Sequence, residues 1–121
     1  MKISHLLATA SLVLGFHAAP VLGQDAVIEA MQEYMMFSEY ESGIILPQQI
    51  DRTVFETALF VDTRDAEQFD AGTILASANI EWREVLDRID EIPDDRMTIL
   101  FCNTGSLSAQ AAFALRVARR T

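Results

Sequence analysis

The sequence predicts a small α/β domain, with a mainly parallel sheet flanked by helices. Three observations carry this. The runs Leu59–Asp62 and Met97–Phe101 are apolar without polar alternation, the pattern of strands buried on both faces. Segments with apolar residues at helical spacing separate and follow them. A polar or nucleophilic residue closes each run, Asp62 in one and Cys102 just past the other. The carboxyl ends of strands are where open α/β sheets place ligands.

The chain divides into residues 1–23, 24–43 and 44–121. The first stretch reads as a secretory signal: Lys2, an apolar run from Leu6 to Phe16, then Val21 and Gly23 at the −3 and −1 positions of a cut before Gln24. The run is shorter than the roughly 20 residues that span a bilayer, and Pro20 closes it. Secretion across the inner membrane into a bacterial periplasm is expected, with no stable membrane anchor after cleavage. From Asp25 to Tyr40, Val27, Ile28, Met31, Tyr34 and Met35 recur at helical spacing, and Gly43 follows the break. This N-terminal extension is expected to cover the domain.

Ile44-Ile45-Leu46 reads as an edge strand, and Pro47 as the first turn of a short helix to about Glu56. After the Leu59–Asp62 strand, Asp65 to Phe69 reads as one or two helical turns ended by Gly72. A loop follows, with a small strand near Ala78-Asn79-Ile80. Trp82, Val85, Leu86 and Ile89 predict a helix, with Trp82 in the core or at a pocket rim. Pro93-Asp94-Asp95 reads as a turn, and Ser106 to about Arg119 as the last helix. Glu81, Glu84, Asp87, Asp90, Glu91, Asp94 and Asp95 read as a solvated face, because they lack the alternating spacing of a calcium loop.

Composition narrows the chemistry. Both histidines and the lysine lie in residues 1–23, so the remainder has 8 arginines against 18 acids, a formal charge of −10. Such a surface disfavours nucleic-acid phosphates. Without histidine, that remainder holds no Ser-His-Asp triad, no Cys-His pair and no histidine-based metal site, and no metal or cofactor is expected. Cys102 is the one cysteine. Asn103-Thr104-Gly105-Ser106-Leu107-Ser108 follows it into the last helix, setting the sulfur before free N–H groups that favour an anion.

From about Ile44 onward the chain resembles the rhodanese-like domains. Ile45-Leu46-Pro47-Gln48-Gln49-Ile50 is similar to their opening segment, and Leu59-Phe60-Val61-Asp62-Thr63-Arg64 to their Asp-x-Arg strand, followed by Glu67 and Phe69. Gly72-Thr73-Ile74 through Asn79-Ile80 looks like a degenerate Gly-His-Ile-Pro-Gly-Ala-x-Asn-Ile stretch, and Leu100 to Ala109 like the catalytic loop and helix start. The resemblance implies a sulfurtransferase in which Cys102 is the nucleophile and persulfide carrier. It implies a cradle from the amides of Asn103, Thr104, Gly105, Ser106, Leu107 and Ser108, with added hydrogen bonds from the Thr104, Ser106 and Ser108 hydroxyls. The implied partners are a small sulfur donor such as thiosulfate and a thiol or cyanide-like acceptor, together with a possible protein partner. Asp62 and Arg64 read as an ion pair fixing the strand end, in support of the site.

Three departures stand out. Leu107 and Asn103 occupy positions where the family often has arginine, which leaves the loop without a cation. Thr73, Leu75 and Ala76 replace His, Pro and Gly, predicting a looser turn. The sequence ends at Thr121, soon after the last helix, where the family usually adds a strand, so a shortened domain with an exposed sheet edge is expected. Two other readings remain: a non-catalytic binding module that uses the acidic surface or the Met/Phe helix, and a thiol redox sensor.

Overall fold

Strand pairing sets the architecture of the computed structural model, which describes residues 23–39 and 43–119. Strand β1 (Leu59–Asp62) lies in the centre, between β2 (Ala78–Asn79) and β3 (Thr98–Phe101), in the order β2-β1-β3 with both pairings parallel. Leu59 sits opposite Thr98 and Asp62 opposite Phe101, while Asp62 also faces Asn79. Parallel register therefore brings the carboxyl ends of all three strands to one edge. Helices α1 (Gln24–Phe37), α2 (Arg52–Thr57), α3 (Ala66–Ala71) and α4 (Ser106–Ala118) complete the regular structure. The small α/β domain with a parallel sheet flanked by helices is thus observed.

Local chemistry explains the helix ends. Asp51 and Asp65 each accept an N–H from three residues ahead, Val54 at 2.9 Å and Gln68 at 2.8 Å, capping α2 and α3. Gly72 closes α3, its N–H bonded to the Gln68 and Phe69 carbonyls. Gly105, at φ 83, supplies the left-handed turn from the Cys102 loop into α4.

The core joins the sheet to α4. Val61, Ile80, Val85, Ile92, Ala111 and Leu115 form one buried cluster, with Leu59, Trp82, Ile89 and Leu100 packed on it. Phe60, adjacent to Val61 along the strand, meets the Phe55 ring of α2 at 5.4 Å. Helix α1 rests on α4 through Tyr34, whose ring meets Phe113 edge-on at 5.2 Å and whose hydroxyl accepts from Arg116 at 3.2 Å.

Two expected elements differ. Ile44-Ile45-Leu46 forms no strand, and Ile44 and Leu46 are 73% and 55% exposed. Among the described residues no strand pairs with this segment, and a ladder needs such a neighbour. Residues 82–88 form consecutive turns before a 3-10 turn at Ile89–Glu91, not a regular helix. The apolar spacing does place Val85 and Ile89 in the core, but Trp82 N–H is bonded to the Thr63 carbonyl and Leu86 is exposed. Trp82 packs on the core and not in the cleft beside Cys102. The short helix expected from Pro47 to Glu56 splits into a 3-10 turn, Pro47–Gln49, and α2, because Asp51 starts a new cap. The expected signal at residues 1–23 lies outside the described residues except Gly23, as do Tyr40, Glu41, Ser42 and the last two residues. Among the described residues no helix is long and apolar enough to cross a membrane.

Candidate active site

Two neighbouring strand ends build the site. At the end of β1 the Asp62 carboxylate is fully buried and receives four donors. Arg64 gives its main-chain N–H at 3.0 Å, Nε at 2.9 Å and Nη2 at 2.5 Å, and Thr73 gives its hydroxyl at 2.8 Å. Burial pushes the Asp62 pKa up, but Arg64 and Thr73 outweigh it and hold the carboxyl below its ordinary 3.8. The turn expected to be loose is therefore tied at Thr73. Asn79 adds two bonds from its side-chain amide, to the carbonyls of Asp62 at 3.1 Å and Arg64 at 2.9 Å.

At the end of β3 the Cys102 thiol is half-buried before α4. Burial pushes its pKa up, but the N–H groups of Ser108, Thr104 and Leu107 and the Ser108 hydroxyl prevail, lowering it from 9.0 to about 7. The Ser108 oxygen lies 3.7 Å from the sulfur and 3.1 Å from the Gly105 carbonyl. In the neutral thiol, S–H donates to Ser108 and the hydroxyl donates to Gly105. On ionisation the hydroxyl turns to donate to the thiolate.

Of the amides expected in the cradle, those of Thr104, Leu107 and Ser108 lower the thiol pKa. The Ser106 N–H instead approaches the Thr104 hydroxyl at 3.5 Å, and Gly105 serves as the turn. Of the three loop hydroxyls, that of Ser108 reaches the thiol, because its side chain faces inward from the first turn of α4. Leu107 offers its amide with a half-buried side chain.

Arg64 joins the two ends. Its Nη1 lies 3.3 Å from Asn103 Oδ1 and its Nη2 donates to the Gly72 carbonyl at 2.8 Å. A cleft of about 500 Å³ opens between Arg64, Gly72, Thr73, Ile74, Phe101, Cys102 and Asn103. The loop after Cys102 has no cation of its own, yet Arg64 brings one into the same cleft. Sequence reasoning missed Thr63, which is wholly buried and clamps the start of the Cys102 loop. Its N–H and its hydroxyl both donate to the Phe101 carbonyl, at 2.9 Å each. Its place between Asp62 and Arg64 is the signal that could have found it. On the acidic face, Glu84 and Glu91 pair with Arg88, and Glu81 with Arg83. Among the described residues no group of three His, Cys, Asp or Glu is placed to hold a metal ion.

Comparison with known proteins agrees with this arrangement. The family model for the rhodanese-like domain matches residues 46–120. The chain is 31% identical over 86 residues to the uncharacterised protein YqhL of Bacillus subtilis, covering 69% of this chain and 68% of that protein. It is also 32% identical over 79 residues to the HTH-type transcriptional regulator Rv0324 of Mycobacterium tuberculosis, covering 65% of this chain but 34% of the regulator. Ordered strands, a thiol at a strand end before a helix and an Asp-x-Arg pair beside it thus accompany a match over most of the chain: the protein belongs to the rhodanese-like domain family, a sulfurtransferase-like family.

Proposed function

We propose that this protein carries sulfane sulfur on Cys102, moving it from a donor such as thiosulfate to a thiol or cyanide-like acceptor. The observation behind the reading is the Cys102 sulfur itself, set against three main-chain N–H groups and a hydroxyl that bring its pKa to about 7. A large fraction of the protein then holds a thiolate near neutral pH, with no general base required. The thiolate attacks the outer sulfur of thiosulfate, whose S–S bond breaks, and sulfite leaves with the bonding pair. The resulting persulfide anion keeps its charge in the same cradle. An acceptor thiolate or cyanide then attacks the terminal sulfur, departs as persulfide or thiocyanate, and restores the Cys102 thiolate.

The apolar start with Val21 and Gly23 before Gln24 supports a secreted, periplasmic sulfur carrier. Sequencing the N-terminus of protein made in cells tests this, with cleavage before Gln24 expected. For the chemistry, folded protein is incubated with thiosulfate or an organic persulfide and its intact mass measured. Gain of one sulfur atom, lost on adding cyanide and absent from Cys102→Ser, is the expected result. No adduct on folded protein with either donor would sink the catalytic reading. A second reading, a non-catalytic binding module, draws on Asn103 and Leu107 standing where the resemblance places arginines. A biological effect that survives Cys102→Ser would favour that module.

A further inference from the structure

Arg64 divides its hydrogen bonds unevenly. Nε and Nη2 lie on Asp62 at 2.9 and 2.5 Å, and Nη2 also reaches the Gly72 carbonyl at 2.8 Å, which fixes the guanidinium plane. Among the described residues Nη1 has a single bond, 3.3 Å long and exposed, to Asn103 Oδ1. That oxygen faces Arg64 because the other half of the Asn103 amide is committed: Nδ2 donates to Gln68 Oε1 at 2.7 Å, and Gln68 Nε2 donates to Asp65 at 2.7 Å. A guanidinium has five N–H groups, two of them on Nη1. Arg64 therefore presents one loosely engaged corner to the cleft it shares with Cys102.

We propose that Arg64 Nη1 seats the oxyanion end of the sulfur donor, and that Asn103 is a displaceable cap which sets how tightly anionic donors bind. This rests on the sulfurtransferase reading for the donor's identity, though not for the anion seat. A guanidinium already immobilised by Asp62 loses little side-chain freedom when an anion arrives. Asp62 neutralises much of its charge, so the seat is weak, and Asn103 weakens it further by occupying Nη1. Removing that competing acceptor is worth about 1 kcal/mol, roughly a fivefold gain in anion affinity.

The test reads anion binding without turnover. Sulfate, at constant ionic strength, is titrated as a protectant of Cys102 against iodoacetamide in wild type, Asn103→Leu, Asn103→Ala and Asn103→Asp. Leucine keeps the bulk of Asn103 but accepts no hydrogen bond. Half-protection is expected at roughly fivefold less sulfate in both Asn103→Leu and Asn103→Ala. Protection should be lost in Asn103→Asp, whose carboxylate would occupy Nη1 and repel anions. Equal protection in wild type and Asn103→Leu overturns the inference, and so does tightening in Asn103→Ala alone, which would reveal a steric effect. Sulfur uptake from thiosulfate combined with equal protection would remove this inference and leave the carrier reading standing. Tightened protection in Asn103→Leu without any sulfur adduct would do the reverse.

Discussion

Asp62 and Cys102 close adjacent parallel strands, and each is an acid whose charged form is favoured by a different means. Asp62 is fully buried and stabilised by side chains, Arg64 above all. Cys102 is half-buried and stabilised chiefly by main-chain N–H groups at a helix start. The first arrangement pairs a buried carboxylate with Arg64 Nε and Nη2, so the carboxylate charge is locked and structural. The second leaves the sulfur without a bound counter-charge, so the thiolate stays reactive. The difference shows why a site can form where the loop has no arginine: amides are supplied by the fold whatever the side chains.

Breaking the Asp62 end should have the largest effect. Asp62→Ala removes the shared acceptor of Arg64 and Thr73 and breaks a buried pair, which typically costs about 3–5 kcal/mol. Urea unfolding should show the loss, and Asp62→Asn, which keeps the shape and one acceptor, should lose less. The sign with pH follows from the lowered pKa. This stability is fully present above 3.8 and is lost as pH falls through the still lower folded value.

The Cys102 end should respond more gently and in a different pH window. Its folded pKa of about 7 lies below the ordinary 9.0, so its contribution is complete above pH 9 and is lost as pH falls through about 7. Alkylation rate against pH should have its midpoint at about 7 in wild type. In Ser108→Ala the midpoint should rise, while the amides of Thr104, Leu107 and Ser108 keep it below 9.0. An unchanged midpoint would remove the hydroxyl from the account. Losing the bond to Gly105 should also cost about 1 kcal/mol of stability.

The smallest effect separates the two ends. Ala76 sits at φ 64 in the turn that follows Thr73, a conformation that penalises a Cβ. Ala76→Gly should stabilise the protein by about 1 kcal/mol or less, since glycine's greater freedom in the unfolded chain offsets part of the relief. The Cys102 titration should not move, because this turn supports the Asp62 side. A shifted thiol midpoint in Ala76→Gly would show that the two ends are coupled.

Much of this was legible in the chain. Leu59–Asp62 reads as a strand because burial on both faces leaves an unbroken apolar run. Asp65 and Gly72 bracketed α3 because capping is local chemistry, satisfied within three or four residues. Cys102 stood out because a lone thiol before Asn, Thr, Gly and Ser is a local pattern too. Ile44–Leu46 failed as a strand because a ladder needs a neighbour that no local pattern guarantees. The Trp82–Ile89 spacing tells which residues pack inward, but a backbone bond from Trp82 to distant Thr63 helps decide their conformation.

The sequence by itself determined the class of fold, the position of the thiol and the absence of histidine after residue 17, because composition, periodicity and caps act over a few residues. Only the tertiary structure decided which amides face the sulfur, that Thr63 clamps the Cys102 loop, and that Arg64 stands beside Asn103 from 39 residues away. The reason is physical. Parallel strands bring distant segments side by side, and the direction of a hydrogen bond between them depends on that pairing, not on either segment alone.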